Sequence, residues 1–463
     1  MIGVIGIVIS LLLLMYLAYR GWSIILLAPI LACFAAAFAL LEGGEFHLMA
    51  TYTETFMPNL AGYIKSNFPM FMLGAVFGKV MDLSGSANAI AEFITEKIGR
   101  GKEMWAIVLS CAVITYGGVS LFVAAFAIYP IGAALFREAD LPKRLLPPAI
   151  ALGAFTFTMT ALPGTPQIQN AIPMTYFGTD AFAAPILGIV AALIMLFGGM
   201  FWLTSRLKKA KANGEGYGNH PNENLKVMDP SKLPPFSTSI IPIIVVIAAN
   251  FAFSKWVLPA GDSSYLEEGY GTTFGSVVGT WSLVIALIIG IVLVVIFNFK
   301  RFENGVVDSL KEGVNGSLLA VMNTASEVGY GNVIKSLAGF AIVASGMLSI
   351  SSNPLIGEAI ASSVLAGITG SASGGLSIAL ATFAEGFMET AAAAGISPEV
   401  LHRVAAVACG GLDTLPHNGA VITLLAVTGM THKQCYVNIG MCTVVIPTFA
   451  CIAIIILGSM GIA

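Results

Sequence analysis

Two short proline-containing segments hold most of the polar chemistry inside apolar surroundings. The first reads Leu162-Pro163-Gly164-Thr165-Pro166-Gln167-Ile168-Gln169-Asn170, the second Leu412-Asp413-Thr414-Leu415-Pro416-His417-Asn418-Gly419. A proline removes a backbone donor and clashes with the preceding turn, so each segment is expected to unwind a helix locally. The half-helix that follows starts with unpaired N–H groups at the positive end of its dipole, and these attract an anion. Gly164, Thr165, Gln167 and Asn170 in the first segment, and Thr414, His417, Asn418 and Gly419 in the second, add neutral donors and close backbone approach. Together they read as a binding site for a carboxylate. The alternative is that the prolines merely kink their helices, as many membrane prolines do.

Two glycine pairs suggest a second component. Tyr116-Gly117-Gly118-Val119-Ser120 resembles Ser373-Gly374-Gly375-Leu376-Ser377, and each lies within a long apolar stretch. Gly118, Ser120, Gly375 and Ser377 are expected at hairpin tips facing the same anion. Ionisable groups form a third set, because a charge at the bilayer centre costs roughly 2.5–3.5 kcal/mol even on a lenient scale. Asp413 and His417 sit in the second proline segment. Glu385 and Glu389 follow the second glycine pair, four residues apart on one helical face, and Glu327 lies in another apolar run. Glu385, Glu389, Asp413 and His417 are therefore the candidates for exchanging a proton; a purely structural pairing is the alternative. Neither proline segment contains an arginine, which favours a monocarboxylate over a dianion.

The elements that must position these groups are membrane helices. Of 463 residues 57% are hydrophobic and only 10% charged, against roughly a quarter charged in a soluble domain. Glycine is abundant, with 50 residues, as is common in membrane helices. The net charge of -3 gives no basis for a nucleic-acid partner. The six cysteines lack metal spacing. No HExxH, GxSxG or phosphate-cradling loop occurs, so neither an enzyme nor a cofactor is expected.

Clean spans of about 20 residues are Ile2–Ala18, Trp22–Leu41, Ala183–Leu203, Ile240–Leu258, Thr280–Phe297 and Val437–Leu457. Basic residues orient them. Ser205–Lys232 carries Arg206, Lys208, Lys209, Lys211, Lys226 and Lys232 and is expected on the cytoplasmic side, whereas Pro259–Gly271 has only acidic charges and is expected outside. Both termini then lie outside. The apolar stretch 104–136 has basic residues at both ends, so it reads as a re-entrant hairpin with a deep tip.

The same order recurs after the basic loop. Residues 1–206 hold the hairpin 104–136 and a broken helix at 144–177. Residues 207–236 form a cytoplasmic linker. Residues 237–463 hold a second hairpin, 354–394, and a second broken helix, 398–430. Gly78-Lys79-Val80-Met81 is echoed by Gly331-Asn332-Val333-Ile334, and Ala87–Ile98 and Ile334–Leu348 read as arms along opposite membrane surfaces. The first repeat starts outside and the second inside, so the two are inverted; such repeats with discontinuous helices point to a midplane transport site. The expected fold is an all-α polytopic membrane protein of about eleven crossings plus two re-entrant hairpins.

Over nearly its whole length the chain resembles the GntP-type gluconate permeases of the ion-transporter superfamily. The resemblance rests on Gly117–Pro130, Leu162–Pro173 and Gly410–Leu424. The last two are most similar to the 3-hydroxybutyrate permease branch. The resemblance implies a homodimer in a bacterial cytoplasmic membrane, with a scaffold domain and an elevator-type transport domain made of the hairpins and broken helices. It also implies proton-coupled symport of a small hydroxy-monocarboxylate. The tips lack the Ser-Asn-Thr of sodium-coupled relatives, which favours protons; sodium coupling and a passive anion channel or facilitator are the alternatives.

Overall fold

A computed structural model describes residues 2–20, 22–42, 45–98, 101–220, 230–302, 305–342, 346, 351–416 and 418–463. Among the described residues there is no strand. The helices are α1 (Ile2–Tyr19), α2 (Ile24–Ala37), α3 (Met57–Leu83), α4 (Ser86–Ile98), α5 (Glu103–Tyr116), α6 (Leu121–Glu138), α7 (Leu146–Ala154), α8 (Ile168–Phe177) and α9 (Pro185–Ala212). There follow α10 (Phe236–Val257), α11 (Phe274–Asn298), α12 (Val306–Ser336), α13 (Pro354–Thr369), α14 (Ala372–Ala393), α15 (Pro398–Leu412), α16 (Gly419–Thr428) and α17 (His432–Ser459). Five helices among the described residues are long and apolar enough to cross a membrane: α6, α9, α10, α17 and Phe274–Arg301.

Local chemistry sets the ends of these helices. Proline opens α9, α13 and α15 at Pro185, Pro354 and Pro398, where the missing donor costs nothing. Left-handed glycines close α8, α13 and α16 at Gly178, Gly370 and Gly429. Side chains of Ser120, Asn353, Ser371 and Asn418 accept from backbone N–H groups at the starts of α6, α13, α14 and α16.

Packing separates the helices into two groups. In one, neighbours run α1–α2–α12–α3–α11–α10, with α3 against α12 at the centre. Exchanging α1 for α10, α2 for α11 and α3 for α12 reproduces this row in reverse. The other group contains α5 paired with α6 and α13 with α14. Here α7 and α15 lie against those pairs, α8 crosses to α14 and α15, and α16 crosses to α6. Helices α9 and α17 pack on each other beside it. Where α13 meets α14, the approach is so close that a Cβ on Gly375 would strike the Ala366 backbone.

The groups touch unevenly. Helix α14 lies along α12, whereas its counterpart α6 barely reaches α3. Between α8 and α9, Asp180 pairs with Lys255 of α10 at 2.7 Å, a bridge between the two groups. Of the two segments expected as surface arms, the first forms the helix α4, which packs against α5 and α10. The second does not start at Ile334, because α12 continues to Ser336; residues 343–345 and 347–350 lie outside the described residues.

Candidate functional site

Between the two groups lies a cavity of about 420 Å³. Its lining includes the first turns of four helices: Leu121 and Phe122 of α6, Ile168 and Gln169 of α8, Ala372 and Ser373 of α14, and Gly419 and Ala420 of α16. These N-terminal ends follow the turn at Gly117–Gly118, the left-handed turn at Gly370 and the two proline breaks; the second glycine pair, Gly374-Gly375, lies within the first turns of α14 and not at the expected tip. Four positive dipole ends and their amides therefore face one space, an arrangement suited to an anion. The opposite wall is Phe71 of α3 and Asn323, Thr324 and Glu327 of α12. Helix C-terminal ends reach the cavity as well, at Thr369–Gly370 and Gly410–Thr414, bringing carbonyl oxygens and the Asp413 carboxylate. Asp413 is 9% exposed, and its Oδ1 has no hydrogen-bond partner.

The second proline segment supplies most of the expected residues. Asp413, Thr414, Asn418 and Gly419 all line the cavity. Asn418 Oδ1 accepts from Val421 N at 2.9 Å, and its Nδ2 donates to Gly370 O at 2.8 Å. One side chain thus caps α16 and ties it to the tip of the α13–α14 pair. Thr414 Oγ1 donates to Thr443 Oγ1 at 2.7 Å. His417 lies outside the described residues.

The first segment behaves differently, and here the expectation is corrected. Asn170 is fully buried and points away from the cavity. Its Nδ2 donates to Thr165 O at 3.0 Å and Ala181 O at 2.9 Å. Its Oδ1 accepts from Arg403 Nη1 at 2.9 Å, with His402 Nε2 3.2 Å away. Gln167 Nε2 donates to Thr115 O and Val119 O, which braces the turn between α5 and α6. Thr165 is buried, and Gly164 holds a left-handed turn (φ 82°) whose N–H donates to Ala181 O at 2.8 Å. The unwound backbone has many groups to satisfy inside protein, and the Asn170 amide satisfies two of them, while the Thr165 hydroxyl is buried without a partner.

The residues expected at the hairpin tips also sit one step behind the cavity, Gly375 and Ser377 within α14 beyond the tip at Gly370. Gly118 makes a tight turn (φ 98°) against Pro166, and Ser120 Oγ accepts from Phe122 N at 3.3 Å. Gly375 permits the α13–α14 contact, and Ser377 is buried with its Oγ 3.4 Å from Tyr63 Oη. Their immediate neighbours, Phe122, Ser371 and Ser373, form the lining instead.

Glu385 and Glu389 are not in the cavity. Both are exposed, and Glu385 pairs with Lys335 at 3.2 Å on the protein surface. Helix α14 starts at the cavity and rises about 20 Å before reaching Glu385.

Arg403 lies outside both proline segments and was not among the expected site residues. It lies on α15, fully buried, and donates to Ala183 O, Thr160 O and Asn170 Oδ1. A basic residue inside the apolar run Val400–Gly411 was the available signal.

Broken helices that face a central cavity fit a multi-pass membrane transporter. The chain belongs to the GntP family of permeases, whose family model matches residues 1–460. It is 47% identical over 468 residues to the uncharacterized transporter YxjC of Bacillus subtilis, covering 98% of each chain. An uncharacterized permease of Haemophilus influenzae is 24% identical over 382 residues, 80% of this chain and 75% of that one. In fold, the chain is similar to the YdaH transporter of Alcanivorax borkumensis, with a TM-score of 0.59 at 14% identity, covering 89% and 88% of the two chains. It is also similar to MtrF of Neisseria gonorrhoeae, with a TM-score of 0.56 at 14% identity, covering 90% and 84%.

Proposed function

We propose that the chain is a secondary active carrier that moves a small hydroxy-monocarboxylate of the gluconate or 3-hydroxybutyrate type together with a proton. The observation that carries this reading is the convergence of four helix N-termini on one cavity large enough for such an anion. Of the candidates for proton exchange named from the sequence, Asp413 lines the cavity, with no partner at Oδ1. Two exposed surface carboxylates, Glu385 and Glu389, drop out of that role.

In this reading the row of α1, α2, α3, α10, α11 and α12 is the scaffold, and the helix pairs with the broken helices form the moving domain of an elevator. The reversed order of that row supports two inverted repeats. Counting each broken helix once gives ten crossings rather than eleven, the even number that both termini outside requires. The cavity reaches Ile24, at the cytoplasmic start of α2 in this orientation, while α14 closes on α12; both features support an inward-facing state. Homodimer formation rests on the family resemblance.

A second reading, sodium coupling, draws on the carbonyl oxygens at Thr369–Gly370 and Gly410–Thr414. Proteoliposome uptake of labelled gluconate and D-3-hydroxybutyrate separates these readings. Proton coupling requires accumulation under an acid-outside gradient that a protonophore abolishes. Accumulation that follows sodium instead, or mere equilibration without accumulation, refutes it.

A further inference from the structure

Glu327 stands on α12, on the wall opposite the moving helices, 2% exposed and lining the cavity. Its carboxylate rests on Gly374, in the first turn of α14. A Cβ added there would collide with Glu327 Oε2 and come within 2.7 Å of Oε1. Among the described residues no hydrogen bond or ion pair reaches this carboxylate. A buried, unpaired acid is thus aimed at one of the four helix ends that face the anion cavity.

We propose that Glu327 is a tethered competitor of the substrate: its ionised carboxylate takes the place of the substrate carboxylate at the start of α14 and so drives release. This rests on the carboxylate-carrier reading above. A substrate anion and an ionised Glu327 at the same helix end repel each other, and the dipole can balance only about half a charge. Bound substrate therefore requires the neutral acid. When Glu327 gives its proton to water in the cavity, the carboxylate formed replaces the departing anion, and the charge at the helix end is unchanged. Substrate and proton leave together, as symport demands.

The other titratable groups facing this corner are few. Tyr63 of α3 lies nearby, with Tyr176 of α8 beside it. Asp413 faces across the cavity. Helix α14 brings only Glu385 and Glu389, which are exposed, and α2 only Cys33. The turns before α3 carry Tyr52 and Glu54, also exposed.

The test is binding of D-3-hydroxybutyrate and gluconate to purified protein by calorimetry at about pH 5.5 and about pH 8.5. Wild type is expected to bind about tenfold more weakly at the higher pH, and Glu327→Gln to bind with a Kd that changes less than about twofold between them. Gly374→Ala pushes the carboxylate off the helix end and is expected to flatten the profile similarly; it serves if Glu327→Gln does not fold. A folded variant that keeps the wild-type pH ratio overturns the inference while leaving the carrier reading intact. No binding of either acid to any of the proteins overturns the substrate class and the inference with it.

Discussion

Asn170 Oδ1 accepts a hydrogen bond from Arg403 Nη1 at 2.9 Å, joining the first broken helix to the start of the second. Both residues are fully buried, and Arg403 makes no ion pair within salt-bridge distance among the described residues. Its charge is held by carbonyl oxygens and one amide. Asn170→Leu removes that amide and leaves a guanidinium donor unpaired. The expected outcome is a loss of about 2–3 kcal/mol, read as a lower Tm in detergent. Lost uptake in this variant would follow from the damaged domain, since the side chain does not reach the cavity.

Asn418 is the contrasting position. Asn418→Asp keeps the acceptor that caps α16 but loses the donor to Gly370 O and adds negative charge to the anion cavity. Carboxylate binding is expected to weaken by more than about tenfold, with a change in stability of no more than about 1 kcal/mol. Calorimetry and a thermal melt, run on the same preparation, check the two halves of this expectation.

Glu385 and Glu389 provide a control. Their replacement by glutamine is expected to leave the pH dependence of uptake unchanged. At most about 1 kcal/mol of stability rests on the exposed Lys335–Glu385 pair. A shifted pH profile in proteoliposomes would return these residues to the coupling path.

Outside the membrane spans, Arg144 binds Glu215 through two hydrogen bonds, of 2.5 Å from Nε and 2.7 Å from Nη2. This fork holds the Glu215 carboxyl below its ordinary value of 4.5. A lowered folded-state value means the contribution is present above about pH 4.5 and is lost as the pH falls through the folded value. Glu215→Gln should therefore lower Tm slightly at neutral pH and have no effect in strong acid. Melting curves of both proteins across that range test the sign.

Helix ends and breaks were legible in the sequence because proline, glycine and capping side chains act on their own neighbourhood. The breaks at Pro163–Pro166 and Pro416, the turns at Gly117–Ser120 and the start of α15 at Pro398 follow from such local rules. The destinations of polar side chains were not legible. Asn170 and Asn418 occupy similar places after a proline, yet one meets Arg403 from the other half of the chain and the other meets Gly370 at a hairpin tip. Periodicity put Glu385 and Glu389 on one helical face, but only tertiary packing shows that this face is exposed, with Glu385 paired to Lys335 away from the cavity. Arg403 stood in plain view as a charge in an apolar run, and its partners are set by tertiary packing alone.

The Asp180–Lys255 pair spans the two groups of helices, so any sliding of one past the other must first part these charges. With Asp180 mostly covered and Lys255 nearly half open, ions in the surrounding water can weaken the clasp without touching the cavity. Turnover then carries a salt dependence unrelated to affinity: raising ionic strength is expected to quicken net uptake at saturating substrate, and Lys255→Met to remove that response.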